Sequence, residues 1–185
     1  WYNYNATRNF IPASNTKLFT LYAGMKYLGD SLVGLRYWQD DNTTIITPTA
    51  DPTLLLSEFK NQPVFLFLKN QKRIAITKTQ IVDFYGNGWA WNDYKNDYMV
   101  PRSVLPVYGN TIKINWIQRD SIKIFPEYFE FRKYAKSVFQ KGFEVIKPFD
   151  DNSIQFLDGN QKNQSFPITP DLLKISKLLD ETLKL

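Results

Sequence analysis

The sequence predicts an α+β fold in which two helices flank a long, mainly β region. Two segments, one after Ser14 and one after Thr169, place apolar residues at the spacing of a single helix face. Between them, short runs alternate apolar and polar residues with a period of two, which is typical of half-buried strands. We therefore expect residues 35–165 to be mainly β and the two flanking helices to be the longest in the chain.

From residue 35 onward, the predicted elements follow one another closely. Short strands are expected at residues 35–38 and 43–47, on either side of an acidic turn. The Asp-Pro pair at residues 51–52 predicts an N-cap and a first-turn proline for a short helix that ends near residue 60. The continuous apolar run at residues 64–68 predicts a buried strand.

The second half of the chain contains the clearest strand signals. Residues 85–106 are dense in Gly, Trp, Tyr, Asp and Pro and are expected to form a structured loop region. Residues 111–116 and 121–125 form the best hairpin pair, across Gln118-Arg119-Asp120. The other predicted strands are residues 73–76, 143–147 and 153–157. The terminal helix, residues 170–184, is expected to pack through one apolar face, which contains Leu172, Ile175, Leu179 and Leu183.

The composition is that of a soluble globular chain, and it excludes several kinds of chemistry. The 185 residues are 43% hydrophobic and 22% charged, with a high aromatic content of 16%. The absence of cysteine excludes disulfides and thiol nucleophiles, and the absence of histidine excludes a Ser-His-Asp triad and histidine metal sites. Any serine chemistry must therefore use a lysine or a carboxylate as its base.

The charge pattern argues against nucleic-acid partners, and the hydropathy pattern against a membrane span. The net charge of +5 is modest, and the small basic group Lys69, Lys72 and Arg73 is interpreted as a solvated turn. No segment approaches the roughly 18 apolar residues of a membrane span. No signal peptide is present, and residues 1–5 alternate like the interior of a strand, so we expect the chain to have been processed or cut.

The most informative stretch is residues 10–28, where Ser14 and Lys17 lie three positions apart at the predicted start of a helix. Pro12 keeps the preceding residue extended, and Ser14 lies where helix N-termini favour a hydroxyl. Because residues three apart share a helix face, Lys17 can stand close enough to take the Ser14 proton. Gly29 is expected to end the helix. An apolar stripe is expected to anchor the helix in a core, and it consists of Leu18, Leu21, Tyr22, Met25 and Leu28.

The spacing alone does not identify a site, because a chain rich in lysine contains Ser-x-x-Lys by accident. A second match, Ser57 to Lys60, is interpreted as a solvated helix face. The context of Ser14 is different: an apolar lead-in and a Pro-Ala pair precede it, and a strongly apolar helix follows.

Three blocks of sequence, in order, resemble a known family. They are Pro-Ala-Ser-Asn-Thr-Lys-Leu-Phe-Thr at residues 12–20, Ala-Asp-Pro-Thr-Leu at residues 50–54, and Gly-Trp-Ala-Trp-Asn-Asp at residues 88–93, the last followed by Tyr98, Pro101, Ser103 and Leu105. Together they resemble the serine D-alanyl-D-alanine carboxypeptidases, the low-molecular-mass penicillin-binding proteins that also act as endopeptidases. The resemblance extends over residues 4–114, with Ala50 where the family has glycine.

The resemblance implies an enzyme of the bacterial cell envelope or periplasm that is inhibited by β-lactam antibiotics. Ser14 would attack the carbonyl of a terminal D-Ala-D-Ala bond in a peptidoglycan stem peptide, and water or an amine would resolve the acyl-enzyme. Lys17 would be the base, and the Ser14 N–H would be one oxyanion donor at the positive end of the helix. Neither a cofactor nor a metal is implied.

The resemblance also implies a domain organisation, because the family's catalytic domain is split in sequence by a largely β insert. Residues 1–34 would be the first segment of a penicillin-binding-protein/β-lactamase-like catalytic domain, with a strand and the active-site helix. Residues 35–185 would be the inserted domain, and the helix over residues 170–184 would lead back toward the missing catalytic part.

Two further motifs of the family, a Ser-x-Asn triad and a Lys-Thr-Gly strand, are not found. Lys78-Thr79-Gln80 lacks the required glycine. Tyr85-Gly86-Asn87 and Tyr108-Gly109-Asn110 mimic a Tyr-x-Asn variant but are interpreted as turns. Since the family has both motifs after the insert, we expect this chain to stop before them and to be inactive alone.

Two other functions stay open: a non-catalytic cell-wall-binding or protein-interaction module in which Ser14 is a relic, and a penicilloyl-serine β-lactamase, which the later blocks disfavour. Trp89, Trp91, Asp93 and Tyr98 could form a sugar-stacking platform but are interpreted as the packed corner of a β domain. The acidic pairs at residues 40–41 and 150–151 are interpreted as solvated turns, not as metal ligands.

Overall fold

The computed structural model describes residues 2–79, 81, 83–118, 121–127, 141–149, 153–169 and 171–184. The chain divides into two compact units, Trp1–Val33 and Gly34–Leu185. The assignment of these parts to a split catalytic domain and an insert stays a prediction.

The first unit contains one helix, α1 (Thr16–Leu28), preceded by a single 3-10 turn, Ala13–Asn15. Gly29 ends α1 with a φ of 76°, as predicted. The predicted strand at the start of the chain is wrong for residues 2–5, which have no strand structure, and Trp1 lies outside the described residues. The alternating residue pattern shows only that the side chains would suit a β-sheet. A strand also needs a paired neighbour, and the described part of this unit contains none.

The second unit begins with a three-stranded sheet. β1 (Leu35–Asp40) and β2 (Thr43–Pro48) form an antiparallel hairpin at the predicted position. β3 (Ile74–Ile76) lies on the other side of β2 and is parallel to it. Parallel strands cannot be joined by a tight turn, so the chain between β2 and β3 must cross over.

That crossover contains α2 (Pro63–Lys69), where the sequence predicted a buried strand. The prediction is wrong because a short continuous apolar run fits either element. Pro63 favours the helix, since its fixed φ and missing N–H cost nothing at the first helical position. α2 buries Leu68, and the ring of Phe67 lies 4.5 Å from that of Tyr37 on β1.

Residues 51–60 form turns and not the predicted short helix. The Asp51 carboxylate does accept a hydrogen bond from the N–H of Thr53 at 2.9 Å, as a capping residue would. However, Ala50 and Leu55 have positive φ values of 62° and 58°, and a helical backbone cannot pass through such positions.

The side chain of Gln62 takes the place of helical hydrogen bonds in this loop. Its amide nitrogen donates to the carbonyls of Thr53 at 2.9 Å and Phe59 at 2.8 Å. Its Oε1 accepts the N–H of Leu55 at 2.8 Å. One side chain therefore satisfies backbone groups at three separate points of the loop.

The predicted hairpin in the second half is confirmed. β4 (Thr111–Gln118) pairs antiparallel with β5 (Ser121–Phe125), and the turn residues Arg119 and Asp120 lie outside the described residues. The other edge of β4 pairs with β8 (Asn163–Pro167), a strand that the sequence did not predict. The remaining predicted strands form a separate antiparallel pair, β6 (Phe143–Ile146) with β7 (Gln155–Asp158).

α3 (Leu172–Leu183) closes the second unit, as predicted. Its N-cap is Asp171, whose carboxylate accepts the N–H of Leu173 at 2.9 Å, and Pro170 lies outside the described residues. The buried face consists of Ile175, Leu178, Leu179 and Leu183. These residues share a core with side chains from β2, the turns at residues 51–60, α2 and the segment before β4, namely Ile46, Leu54, Leu68, Leu105 and Val107. A second core lies around β4 and the β6–β7 pair.

The described helices include none that is both long and apolar enough to cross a membrane. α1 and α3 are the longest of them, with 13 and 12 residues, in agreement with the sequence.

Replacing Gln62 by alanine should lower the free energy of unfolding of the second unit by about 2 kcal/mol, because partly buried backbone groups lose their partners. Urea unfolding followed by circular dichroism measures this. Gln39→Ala, at an exposed position of β1, is the matched control and should change the value by less than about 0.5 kcal/mol. Equal effects of the two substitutions would contradict the organising role of Gln62.

Ala50→Gly should raise the same free energy by about 0.5 kcal/mol. Alanine at a φ of 62° costs about 1–2 kcal/mol, which exceeds the roughly 0.5–1 kcal/mol that glycine loses through its freer unfolded chain. Ala90→Gly is the control, because Ala90 has an ordinary φ of −78° and its replacement should be destabilising. Effects of the same sign at both positions would show that the backbone at Ala50 is not strained.

Candidate active site

The 3-10 turn before α1 places Ser14 just ahead of the α-helix. The turn is closed by the N–H of Asn15, which donates to the carbonyl of Pro12 at 2.9 Å, and by the hydroxyl of Thr16, which donates to the carbonyl of Ala13 at 2.8 Å. Asn15 is the residue at the N-cap of α1, and its side chain makes no capping hydrogen bond. Ser14 is therefore not the capping residue that its position in the sequence suggested, and its hydroxyl is not committed to the helix backbone.

The Ser14 hydroxyl instead contacts Lys17. The ammonium Nζ of Lys17 donates to Ser14 Oγ at 3.1 Å, and both side chains are exposed. The predicted proximity is confirmed, and it follows from the shared helix face of residues three apart. In this contact the lysine is the donor. To act as a base it must be neutral and accept the Ser14 proton along the same line. The catalytic roles of the two residues stay predictions.

The residue before the serine has a left-handed backbone. Ala13 has a φ of 45°, which is uncommon for a residue with a Cβ. Such positions cost about 1–3 kcal/mol and concentrate at functional sites. This one lies directly before Ser14.

α1 does not reach a core within the described residues, so the predicted anchoring of its apolar stripe is wrong for this chain. The five stripe residues are 61–66% exposed. Phe19 and Tyr27, which lie outside the stripe, are 76% and 75% exposed. A helix that is apolar on all sides is typical of a helix enclosed by a larger domain. The apolar surface of α1 is therefore of the kind that other protein segments cover, and this unit contains no such segment among its described residues.

The second Ser-x-x-Lys match makes no comparable contact. The Ser57 hydroxyl donates to the carboxylate of Glu58 at 3.1 Å, and Ser57 and Lys60 are both exposed. This agrees with the interpretation of Ser57 and Lys60 as solvated, although the segment is a series of turns and not a helix.

The two Tyr-Gly-Asn segments are structural turns of the second unit. The hydroxyl of Tyr108 shares a hydrogen bond of 3.2 Å with Thr182 Oγ1 on α3, and Gly109 supplies a positive φ of 65°. The ring of Tyr85 lies 5.8 Å from that of Phe149, and burial raises the pKa of its hydroxyl. Both tyrosines therefore have packing roles in the second unit, as expected.

The aromatic block forms an exposed surface and not the predicted packed corner. The rings of Trp89 and Tyr98 stack at 6.3 Å, and those of Trp91 and Phe149 lie 4.3 Å apart. Trp89, Trp91 and Tyr98 are nonetheless 47%, 68% and 61% exposed. The block is fixed to the second unit by Tyr94, whose hydroxyl donates to the carbonyl of Lys147 at 3.2 Å.

Acidic residues do not gather into a metal site in the part of the chain that the structure describes. Asp40 and Asp41 are exposed at the turn between β1 and β2. Asp150 and Asp151 lie outside the described residues.

The fold of the chain is similar to that of one part of a solved penicillin-binding protein. The chain is similar to the crystal structure of penicillin-binding protein 4 from Haemophilus influenzae, with a TM-score of 0.62 and 19% sequence identity, over 99% of this chain and 47% of that chain. A second structure of that protein, complexed with a β-lactam, matches with a TM-score of 0.55 and 16% identity, over 100% of this chain and 45% of that chain. No protein-family model and no curated protein matches the sequence.

This similarity confirms the predicted α+β fold class, that of a fragment of a penicillin-binding-protein-like structure. The chain spans about half the length of the solved structures that it matches.

Amides of α1 should exchange with deuterium almost as fast as an unstructured peptide, whereas amides of α3 should be strongly protected. An isolated helix of 13 residues is marginal in water, and α1 has no buried residue to stabilise it. Hydrogen exchange by mass spectrometry on the 185-residue chain measures both helices in one sample, with α3 as the internal control. Equal protection of the two would contradict the exposed state of α1.

Proposed function

We propose that this chain is the N-terminal part of a serine D-Ala-D-Ala carboxypeptidase/endopeptidase of the low-molecular-mass penicillin-binding protein family. The observation that supports this most directly is the 3.1 Å contact of Lys17 with Ser14 at the start of α1. It occurs in a chain whose whole length has the fold of part of a penicillin-binding protein. The proposed substrate is a peptidoglycan stem peptide that ends in D-Ala-D-Ala, and the proposed location is the cell envelope or periplasm.

In the proposed reaction, Lys17 first accepts the Ser14 proton along their hydrogen bond, and this proton later passes to the leaving amine. Neutral Lys17 accepts the Ser14 proton while Oγ attacks the carbonyl carbon of the penultimate D-alanine. The C–N bond then breaks, the proton passes to the leaving amine, and D-alanine departs to leave an ester on Ser14. Water adds to the ester and releases the shortened peptide. The Ser14 N–H is one donor for the oxyanion that forms in each half-reaction.

The remaining parts of such a site would come from the longer protein. The resembled family has a Ser-x-Asn triad and a Lys-Thr-Gly strand after the insert, and these would supply the proton relay, the carboxylate clamp and the second oxyanion donor. The exposed apolar surface of α1 supports this division, because it needs a cover that the first unit lacks.

A non-catalytic wall-binding or protein-interaction role is the second candidate. It is favoured by the exposed rings of Trp89, Trp91 and Tyr98, because exposed aromatic rings with polar tips are common at binding surfaces. In that case Ser14 would have no chemical role.

A fluorescent penicillin should label the longer protein at Ser14 and leave the 185-residue chain unlabelled. The chain lacks the second oxyanion donor, and one such donor is worth about 10²–10³ in rate. Gel fluorescence and peptide mapping give the measurement. Stoichiometric labelling of the 185-residue chain would contradict the proposed need for the later motifs.

The two Ser-x-x-Lys segments provide matched variants for the same assay in the longer protein. Ser14→Ala should abolish labelling, and Lys17→Ala should slow it by about 10²–10⁴, the usual worth of a general base. Ser57→Ala and Lys60→Ala should label at the wild-type rate. Unchanged labelling of Ser14→Ala would show that Ser14 is not the nucleophile and would favour the non-catalytic role.

A further inference from the structure

A cavity of about 260 Å³ lies within the second unit, and neither Ser14 nor Lys17 lines it. Its volume is just below the range of about 300–1,000 Å³ that is typical of sites for drug-sized ligands, so an occupant would be smaller. Five of the nine described residues that line it are apolar, and one of them, Ile175, belongs to the buried face of α3. The apolar lining residues are Ile81, Phe84, Val104, Leu172 and Ile175.

The polar part of the lining is entirely basic or neutral. Among the described residues it consists of Lys78, Thr79, Arg102 and Ser103, and none of these is acidic. Lys78 and Arg102 are exposed, and neither has a carboxylate within 4.0 Å among the described residues. Two cations that lack a counter-ion in the described part of the chain, beside an apolar surface of low polarisability, favour the binding of an anionic group.

Ser103 adds a hydrogen-bond donor in a fixed place. It is 6% exposed, and its Oγ accepts the N–H of Leu105 at 3.2 Å. A serine hydroxyl can also donate one hydrogen bond, and among the described residues nothing accepts that proton. A buried donor without an acceptor is costly, and an oxygen of a ligand in the cavity would satisfy it.

We propose that this cavity binds a small amphipathic carboxylate, in which a carboxylate group is joined to an apolar body of a few carbon atoms. The carboxylate pairs with Lys78 and Arg102, which are suited to it as an ammonium and a planar guanidinium. The apolar body covers the floor that includes Ile175 and Phe84. A neutral apolar ligand would leave both cations without a partner, and a sugar or nucleotide would place polar groups on an apolar floor.

Two kinds of molecule carry a carboxylate on an apolar body: a free fatty acid and the C-terminus of an apolar peptide. Octanoate and N-acetyl-leucylleucine are the probes for these sources. Acetate, which lacks the apolar body, and 1-octanol, which lacks the charge, are the matched negative probes.

The test is a titration of the 185-residue chain, observed through the NMR signals of the Ile175 and Leu172 methyl groups. Octanoate, the dipeptide or both should shift these signals in a saturable way, with affinity at least about fivefold above that of acetate and 1-octanol. Lys78→Gln and Arg102→Gln should each weaken binding about fivefold, the worth of roughly one exposed ion pair. Lys69→Gln removes an exposed charge that does not line the cavity and should have no effect.

Failure of both carboxylates to shift the Ile175 signal would overturn the proposal. So would equal binding of 1-octanol, since the cations would then take no part, or equal weakening by Lys69→Gln, since the effect would then be general attraction to a basic protein. If only one carboxylate binds, it identifies the source. The result is independent of Ser14 and does not depend on the penicillin assay.

Discussion

The burial of one face of α3 joins distant segments of the chain into one of the two cores of the second unit. Four side chains of this helix form a single core with Ile46 on β2, Leu68 on α2 and residues from the segment before β4, which are far apart in sequence. α1 has almost the same length, but it places apolar residues on every side and buries none within this chain. An amphipathic helix can be satisfied by one neighbouring surface, whereas a helix that is apolar all round must be enclosed. The second unit therefore buries one face of α3 in a core, whereas the first unit leaves α1 exposed.

The elements that the sequence predicted correctly are those with local causes. The β4–β5 hairpin, the β1–β2 hairpin and α3 follow from periodicity, turn residues and an N-cap. The elements that were predicted wrongly depend on contacts distant in sequence, or on a side chain that hydrogen-bonds to backbone groups in place of other backbone groups. Residues 64–68 lie in the crossover between the parallel strands β2 and β3, where a helix begins at Pro63. Residues 51–60 form turns in which the side chain of Gln62 binds the backbone. β8 has the polar sequence Asn-Gln-Ser before its buried end, so only its pairing with β4 defines it.

In the candidate site, too, the features with local causes could be predicted and those that depend on the rest of the fold could not. The 3.1 Å approach of Lys17 to Ser14 was predictable, because helix geometry fixes it whatever surrounds the helix. The left-handed backbone of Ala13 was not predictable, since alanine gives no local signal for it. The cavity beside Lys78 and Arg102 was also missed, because its lining comes from three segments that only the fold brings together. Lys78 begins an incomplete Lys-Thr-Gly motif, and in the fold it lines the cavity proposed to bind a carboxylate.

The exposed apolar surface of α1 has a consequence for synthesis of the longer protein proposed above. A ribosome would complete this helix and then the whole second unit before any later segment could enclose the helix. During that interval α1 presents Leu18, Phe19 and Tyr22 to the solvent, which is a typical target for chaperones and a cause of aggregation. The second unit has its own two cores and can fold in the meantime. If the proposed function holds, Ser14 would be made early but would become reactive only after the rest of that longer protein has folded.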